Sequence, residues 1–152
     1  MSAKSSAVQG LAAAAAGLLI AACGSASALV EETPATLKPV PGSSVQQVQL
    51  SAAATHRLGI ETQAVRVAAG ANSGRSGAHK VIPYSAVIYD TDGSTWTYVE
   101  SAARTFVRNR VTVADIEGHT AVLTKGPAVG AHVVTVGAPE LLGAEYDISG
   151  EE

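Results

Sequence analysis

Short segments in which apolar and polar residues alternate follow one another through residues 45–136, separated by turn-forming residues. Residues 95–100 alternate in this way, and so do residues 105–113, where Arg108 and Arg110 share one face. Alternation of this kind predicts strands with one buried face, and turn signals every 8–12 residues or so are typical of antiparallel barrels. We therefore expect a mainly β fold, a small antiparallel β-barrel or β-roll with one short helix.

The one short helix is predicted near the start of this region. Ser51 is suited to cap the amino end of a helix over residues 52–58, and Gly59 is suited to the left-handed conformation that ends one. Residues 68–80 are rich in glycine and lack periodicity, which predicts a flexible loop. Residues 139–142 are compatible with a single helical turn.

The first 22 residues have the layout of a secretory signal. Lys4 is the only charged residue among the first 30, and the apolar stretch 11–22 ends in small residues. This stretch of 12 residues is shorter than the roughly 18 that a spanning helix needs. Residues 20–23 read IAAC and resemble a lipobox, which predicts cleavage before Cys23 and lipidation of its thiol. Cleavage after Ala28 by an ordinary signal peptidase is the alternative.

Residues 23–44 predict a flexible tether, because they contain prolines and glycines and few large apolar side chains. Residues 45–146 form the predicted domain, and residues 147–152 a disordered tail. With lipid on Cys23, we expect an extracytoplasmic protein that is anchored to the cell membrane through this lipid.

Composition and charge narrow the function. Without Lys4, nine basic residues stand against 13 acidic ones, a net charge near −4, which argues against nucleic acid as a partner. The four histidines are not spaced for convergence on a metal ion, so we expect no metal site. No nucleophile lies in a motif that supplies a base and an orienting acid, so we expect no catalytic residue and no enzymatic activity.

A partner-facing surface is predicted around one pair of strands. Arginine, tryptophan and tyrosine are the residue types that contribute most to protein–protein interfaces. The sequence brings several of them close together along two neighbouring segments, and we expect a partner to contact Trp96, Tyr98, Arg104, Arg108 and Arg110.

Three stretches resemble the periplasmic adaptor (membrane-fusion) subunits of resistance-nodulation-division efflux pumps. Residues 48–62, VQLSAAATHRLGIET, resemble the amino-terminal strand, short helix and Leu-Gly-Ile pattern of that family. Residues 82–87, IPYSAV, are similar to the family's entry into its carboxy-terminal part, with Gly93, Trp96, Tyr98 and Val99 following. Residues 106–113, FVRNRVTV, and 129–138, VGAHVVTVGA, are similar to the family's ending.

The chain also departs from the family. A full adaptor carries a lipoyl-like domain, an α-helical hairpin and a β-barrel where this chain has only residues 68–80. The resemblance therefore implies an isolated membrane-proximal domain, which in the family is assembled from both chain ends. It implies a domain that binds and assists or modulates an efflux transporter, with the transporter or a full-length adaptor as its partner, here on a protein that the lipobox predicts to be a lipoprotein; we expect no cofactor. A free-standing extracytoplasmic binding lipoprotein unrelated to transport is the alternative.

Overall fold

The structure is a computed structural model that describes residues 33–69 and 78–147. The predicted signal peptide, Cys23, the first ten residues of the predicted tether and residues 148–152 lie outside the described residues. Of the described residues, 54% are in strands and 18% in helices. The fold is a curled antiparallel half-barrel sheet with two short helices, which confirms the prediction of a mainly β barrel-like domain.

The elements succeed one another in the order in which the alternating segments occur. The strands are β1 (Ala35–Pro39), β2 (Gln46–Leu50), β3 (Glu61–Ala64), β4 (Arg66–Ala69), β5 (Ala78–Pro83), β6 (Ile88–Tyr89), β7 (Thr95–Ala102), β8 (Thr105–Glu117), β9 (Thr120–Lys125) and β10 (His132–Val136). The helices are α1 (Ala52–Leu58) and α2 (Ala138–Asp147), and a single 3-10 turn spans Tyr84–Ala86.

Strand β8 holds the sheet together. The sheet runs β3-β10-β7-β8-β9-β5-β4, with β2 paired to β1 and β8, and β6 paired to β7. Strand β8 has 13 residues; it pairs with β7 as far as Val111, and with β9 from Thr112 onward. The register shifts on both sides of Val113, and irregularities of this kind bend a strand and increase its twist. This bend contributes to the curl of the sheet.

Helix α1 begins and ends where the sequence predicts. The Ser51 hydroxyl accepts a hydrogen bond from the backbone N–H of Ala54 at 3.1 Å, which satisfies one of the free donors at the start of the helix. Gly59 has φ 60° and ψ 38°, the left-handed conformation that costs a glycine little. Both end signals are therefore confirmed.

The tether prediction is wrong for part of its length. Residues 35–39 form β1 and pair with β2, from Ala35 opposite Leu50 to Pro39 opposite Gln46. Ala35 is buried and Leu37 packs against the same core, so small and medium apolar side chains supply enough inward contact for an edge strand. Pro39 is tolerated because β1 pairs with β2 alone among the described strands and is therefore an edge strand.

The predicted loop 68–80 is shorter than expected. Its two ends belong to β4 and β5, which pair in register from Arg66 opposite Val81 to Ala69 opposite Ala78. Residues 70–77, which carry most of the glycines of this stretch, lie outside the described residues. Strands β4 and β5 therefore extend into the stretch 68–80, where the sequence shows no alternating pattern.

Two apolar clusters lie on opposite faces of the sheet. One packs α1 and α2 against β2, β7 and β8, and its fully buried members include Val48, Tyr98, Phe106 and Leu141. The other draws on β5, β8, β9 and β10, with Ile82, Leu123 and Val133 at its centre. Helix α2 spans ten residues, where the sequence predicted one turn, because Glu145 and Tyr146 near its end form hydrogen bonds with the rest of the domain.

Candidate functional site

The five predicted partner-binding residues do not form one surface. Tyr98 is 0% exposed and Arg108 9% exposed, so their prediction as partner-facing residues is wrong for this conformation. Both lie on the sheet face that α2 covers, which an alternating pattern alone does not reveal. Trp96 is half-buried and Arg110 is exposed. Arg104 is exposed at the opposite end of β7.

Arg108 is the centre of a buried ionic network. Its Nη1 lies 2.9 Å from Asp90 Oδ2, and its Nε lies 2.9 Å from Glu145 Oε2. The side chains are 7% exposed for Arg108, 16% for Asp90 and 3% for Glu145, so water screens these charges little. The Nε–H does not point at an acceptor, so the contact with Glu145 is a close ion pair, whereas the contact with Asp90 is also a hydrogen bond.

Glu145 fastens α2 to the sheet. Its Oε2 accepts a hydrogen bond from the Tyr98 hydroxyl at 2.5 Å, and its Oε1 accepts one from the backbone N–H of Gln46 at 3.1 Å. Tyr98 belongs to β7 and Gln46 to β2, so one carboxylate joins the helix to two strands. Buried charges persist only where they are paired and hydrogen-bonded, and this carboxylate meets both conditions.

The network fixes the protonation states of its members. Burial, together with the hydrogen bond to Glu145, raises the pKa of the Tyr98 hydroxyl far above its ordinary value, so Tyr98 donates and stays neutral. Burial acts to lower the pKa of Arg108, but the Glu145 carboxylate and the Tyr146 hydroxyl outweigh it and the pKa is raised. Arg108 therefore remains a guanidinium cation.

Asp90 belongs to the turn that precedes β7. Its Oδ1 accepts a hydrogen bond from the backbone N–H of Thr91 at 2.8 Å, and its Oδ2 accepts one from the Tyr146 hydroxyl at 3.1 Å. The Thr91 N–H, with the Tyr146 hydroxyl and the Arg108 guanidinium, lowers the pKa of Asp90. Asp90 is thus a carboxylate that holds both the turn and the end of α2.

Aromatic rings surround the arginines. The guanidinium carbons of Arg108 and Arg110 lie 5.0 and 5.6 Å from the centroid of the Trp96 ring, and that of Arg108 lies 5.3 Å from the Tyr146 ring. Such distances are those of cation–π contacts. Trp96 Nε1 also donates to Ser94 Oγ at 2.6 Å. We call the accessible part of this arrangement, Trp96, Arg110 and Tyr146, the docking edge.

Arg104 occupies a different surface. It lies in the two-residue turn between β7 and β8, at the end where β1 begins and β2 ends: Leu50 donates its N–H to the Arg104 carbonyl at 2.9 Å. Two surface grooves meet at Arg104. The larger, about 560 Å³, is lined by Ala52, Thr55, His56, Gly59, Ile60, Glu61 and Arg104. The smaller, about 290 Å³, is lined by Thr33, Thr36, Gln49, Leu50, Ser51, Ala52 and Arg104.

Three members of the network were not predicted from the sequence as site residues: Asp90, Glu145 and Tyr146. Asp90 reads as a turn residue, a role that it also has. Ala138, Leu141 and Glu145 lie at the i, i+3 and i+7 positions of one helix face, and the first two are buried. An acid at an inward-facing helix position was therefore the one sign in the sequence that Glu145 is buried. Its partner could not be identified without knowing that α2 covers the face that carries Arg108.

Within residues 33–69 and 78–147, no three histidine, cysteine, aspartate or glutamate side chains converge as ligands for a metal ion. In the same part of the chain, no helix is long and apolar enough to cross a membrane. Comparison with protein-family models and with curated proteins found no match to this chain.

Proposed function

We propose that this protein is an extracytoplasmic lipoprotein, anchored through Cys23, that binds an efflux transporter and assists or modulates it. The class of partner comes from the resemblance of its three stretches to the membrane-proximal domain of efflux adaptors. One feature of the fold supports this. Segments from both sides of residues 70–77 share one sheet, with β3 paired to β10 and β2 to β8, and the resembling stretches supply these strands.

The docking edge is the observation that carries a binding role. Arg110 is exposed and Tyr146 is 49% exposed, beside the half-buried Trp96. Arginine, tryptophan and tyrosine dominate the energetics of protein interfaces. The buried network below holds this edge in place, so binding orders few side chains and the entropic cost of association is small.

The edge also has a defined charge. Arg110 is not among the residues that make an ion pair in the described part of the chain, whereas the neighbouring Arg108 is neutralised by Asp90 and Glu145. We therefore expect the partner to present an acidic or aromatic surface to Arg110. An anchored domain needs only modest intrinsic affinity, because tethering raises its effective concentration at the membrane.

Site-specific crosslinking tests this proposal. A photoreactive amino acid replaces Arg110 in one variant and the exposed Asp115, also on β8, in a matched control. Irradiation of intact cells should crosslink position 110, and not position 115, to the extracytoplasmic part of a transporter or to a full-length adaptor, identified by mass spectrometry. Cys23→Ala should weaken this adduct.

Two results would contradict the proposal. Equal adducts from positions 110 and 115 would mean random encounter at a crowded surface. Adducts only with proteins unrelated to transport would favour the free-standing binding lipoprotein.

A further inference from the structure

We propose that the smaller groove beside Arg104 binds the phosphate of a phospholipid headgroup and seats this end of the domain on the membrane. This inference rests on the lipid anchor in the proposed function, but not on the transporter. The site involves no residue of the docking edge.

The backbone of Arg104 is the first observation. With φ 56°, Arg104 is the only residue other than glycine that has a positive φ in the described ranges. The left-handed region is unfavourable for residues with a Cβ, and glycine is the residue that such hairpin turns prefer. Strain of this kind is found where a side chain serves a function, so the arginine side chain requires an explanation.

The side chain of Arg104 is the second observation. Only its backbone takes part in the hydrogen bonds found within the described residues, with the N–H donating to Glu100 Oε1 at 3.3 Å and the carbonyl accepting from Leu50. The described ion pairs involve Arg108 alone. The guanidinium therefore has all of its donors available where the two grooves meet.

The residues that line the two grooves show that the smaller one is suited to an anion. The larger groove includes Glu61, which repels an anion. The smaller groove has no carboxylate in its lining, and it offers hydroxyls from Thr33 and Thr36 together with the Gln49 amide. Lys38 Nζ donates to Gln49 Oε1 at 3.0 Å, which leaves the amide N–H₂ free to donate and brings a second cation to the rim. Arginine with hydroxyl and amide donors is the chemistry that recognises phosphate.

The path of the chain identifies the source of the phosphate. Thr33 lines this groove, and it lies ten residues after Cys23. A chain of that length spans at most about 36 Å. The groove is therefore held close to whichever membrane surface carries the anchor, where phospholipid headgroups are the most concentrated phosphates. A basic residue at such a surface contributes about 1 kcal/mol to attachment.

Seating this end would also orient the domain. The turn that precedes β7 and the Arg104 turn that follows it are separated by the eight residues of β7, roughly 25 Å of strand. Trp96 lies near the start of β7, so contact of Arg104 with the membrane directs the docking edge outward. A tether alone does not impose this orientation.

The test uses the lipidated protein in vesicles. Cys23 is the only cysteine and lipidation blocks it, so Ala103→Cys provides a unique thiol for a fluorophore at the proposed contact. Thr91→Cys provides the control at the other end of β7. Vesicles of phosphatidylglycerol and phosphatidylcholine carry a quencher on a small fraction of headgroups. We expect strong quenching at position 103 and weak quenching at position 91.

Arg104→Gly is the decisive variant. Glycine suits φ 56°, so the variant should unfold at or above the wild-type denaturant concentration while the quenching ratio between positions 103 and 91 falls about fivefold, the loss of one surface cation. Arg110→Gln, which removes an equal charge at the docking edge, should leave the ratio unchanged. An unchanged ratio in Arg104→Gly overturns the proposal.

Two further arms identify the ligand. Vesicles made of an uncharged glycolipid without phosphate should abolish the preference for position 103; if the preference persists there, phosphate is not the ligand. If inorganic phosphate perturbs the label at position 103 and phospholipid vesicles do not, the site takes free phosphate and the headgroup assignment is wrong. If the chain does not float with vesicles, it carries no lipid anchor, and the headgroup inference, which depends on that anchor, is wrong as well. Loss of transporter crosslinking from position 110 leaves all of these results unaffected.

Discussion

Removal of the charge on Glu145 should loosen α2 from the sheet. The substitution Glu145→Gln keeps the shape of the side chain but leaves Arg108 with one carboxylate, that of Asp90. The Tyr98 hydroxyl and the Gln46 N–H then donate to a neutral amide at best, and the amide N–H₂ is placed among groups that are themselves donors.

The expected cost follows from burial. Breaking a buried ion pair by neutralising one partner costs about 3–5 kcal/mol, and Glu145 is 3% exposed. Arg108 keeps Asp90, which places the loss toward the lower end. Two hydrogen bonds to a charged acceptor become neutral ones, at roughly 1 kcal/mol each, and this loss is part of the same total. We expect the free energy of unfolding to fall by about 3 kcal/mol, and the melting temperature by on the order of 10 °C.

Urea unfolding followed by tryptophan fluorescence measures this loss. Trp96 is the only tryptophan and contacts Arg108, so its emission reports directly on the network. Glu140→Gln, an exposed acid on the same helix, is the matched control and should change stability by less than about 0.5 kcal/mol.

A double substitution separates charge from packing. Arg108→Met with Glu145→Gln removes both charges, while the amide oxygen at position 145 can still accept from the Tyr98 hydroxyl; a buried pair is most costly to break when only one partner loses its charge. We expect the double variant to be more stable than Glu145→Gln alone. The reasoning is refuted if Glu145→Gln unfolds within about 0.5 kcal/mol of the wild type, or if Glu140→Gln is equally damaging.

Four other substitutions test separate features by the same unfolding assay. Because the folded pKa of Asp90 is lowered, its stabilisation is present above the unfolded pKa of about 3.9 and lost as pH falls through the folded value; the difference in stability between wild type and Asp90→Asn should therefore vanish in acid. Gly137→Ala places a Cβ 2.2 Å from Ile60 Cδ1 at φ +87° and should cost about 1–3 kcal/mol, whereas Gly143→Ala meets no atom within 4 Å and should stabilise α2 by about 0.5–1 kcal/mol. Ser51→Ala should cost about 0.5–2 kcal/mol through loss of the cap, and a cost below about 0.5 kcal/mol would mean that solvent replaces the cap.

Local signals predicted the elements of the fold well. Helix α1 follows from a capping serine, seven residues without proline or glycine and a glycine at the end, and each of these acts within one turn of chain. Strands β7 and β8 follow from alternation, because the side-chain period of a strand is fixed at two residues. These features require no knowledge of the rest of the molecule.

Long-range pairing was not predictable in the same way. Pro34 precedes strand β1 and Pro39 ends it, and prolines argue against a strand when only the sequence is known. The segment is a strand because it pairs with the edge of β2. The interior position of Arg108 has the same origin. An arginine that shares a strand face with Arg110 is expected to face solvent until a helix that carries an acid is known to cover one end of that face.

The contrast between Arg108 and Arg110 shows how this small domain uses its polar residues. They are two residues apart on one face of β8, and both contact Trp96. Helix α2 neutralises the first and leaves the second exposed, so the helix determines which arginine is structural and which is available to a partner. A change that undocks α2 would free Arg108 as well and would remove Tyr146 from the docking edge. Loss of Glu145 should therefore disturb partner crosslinking from position 110 even under conditions in which the sheet remains folded.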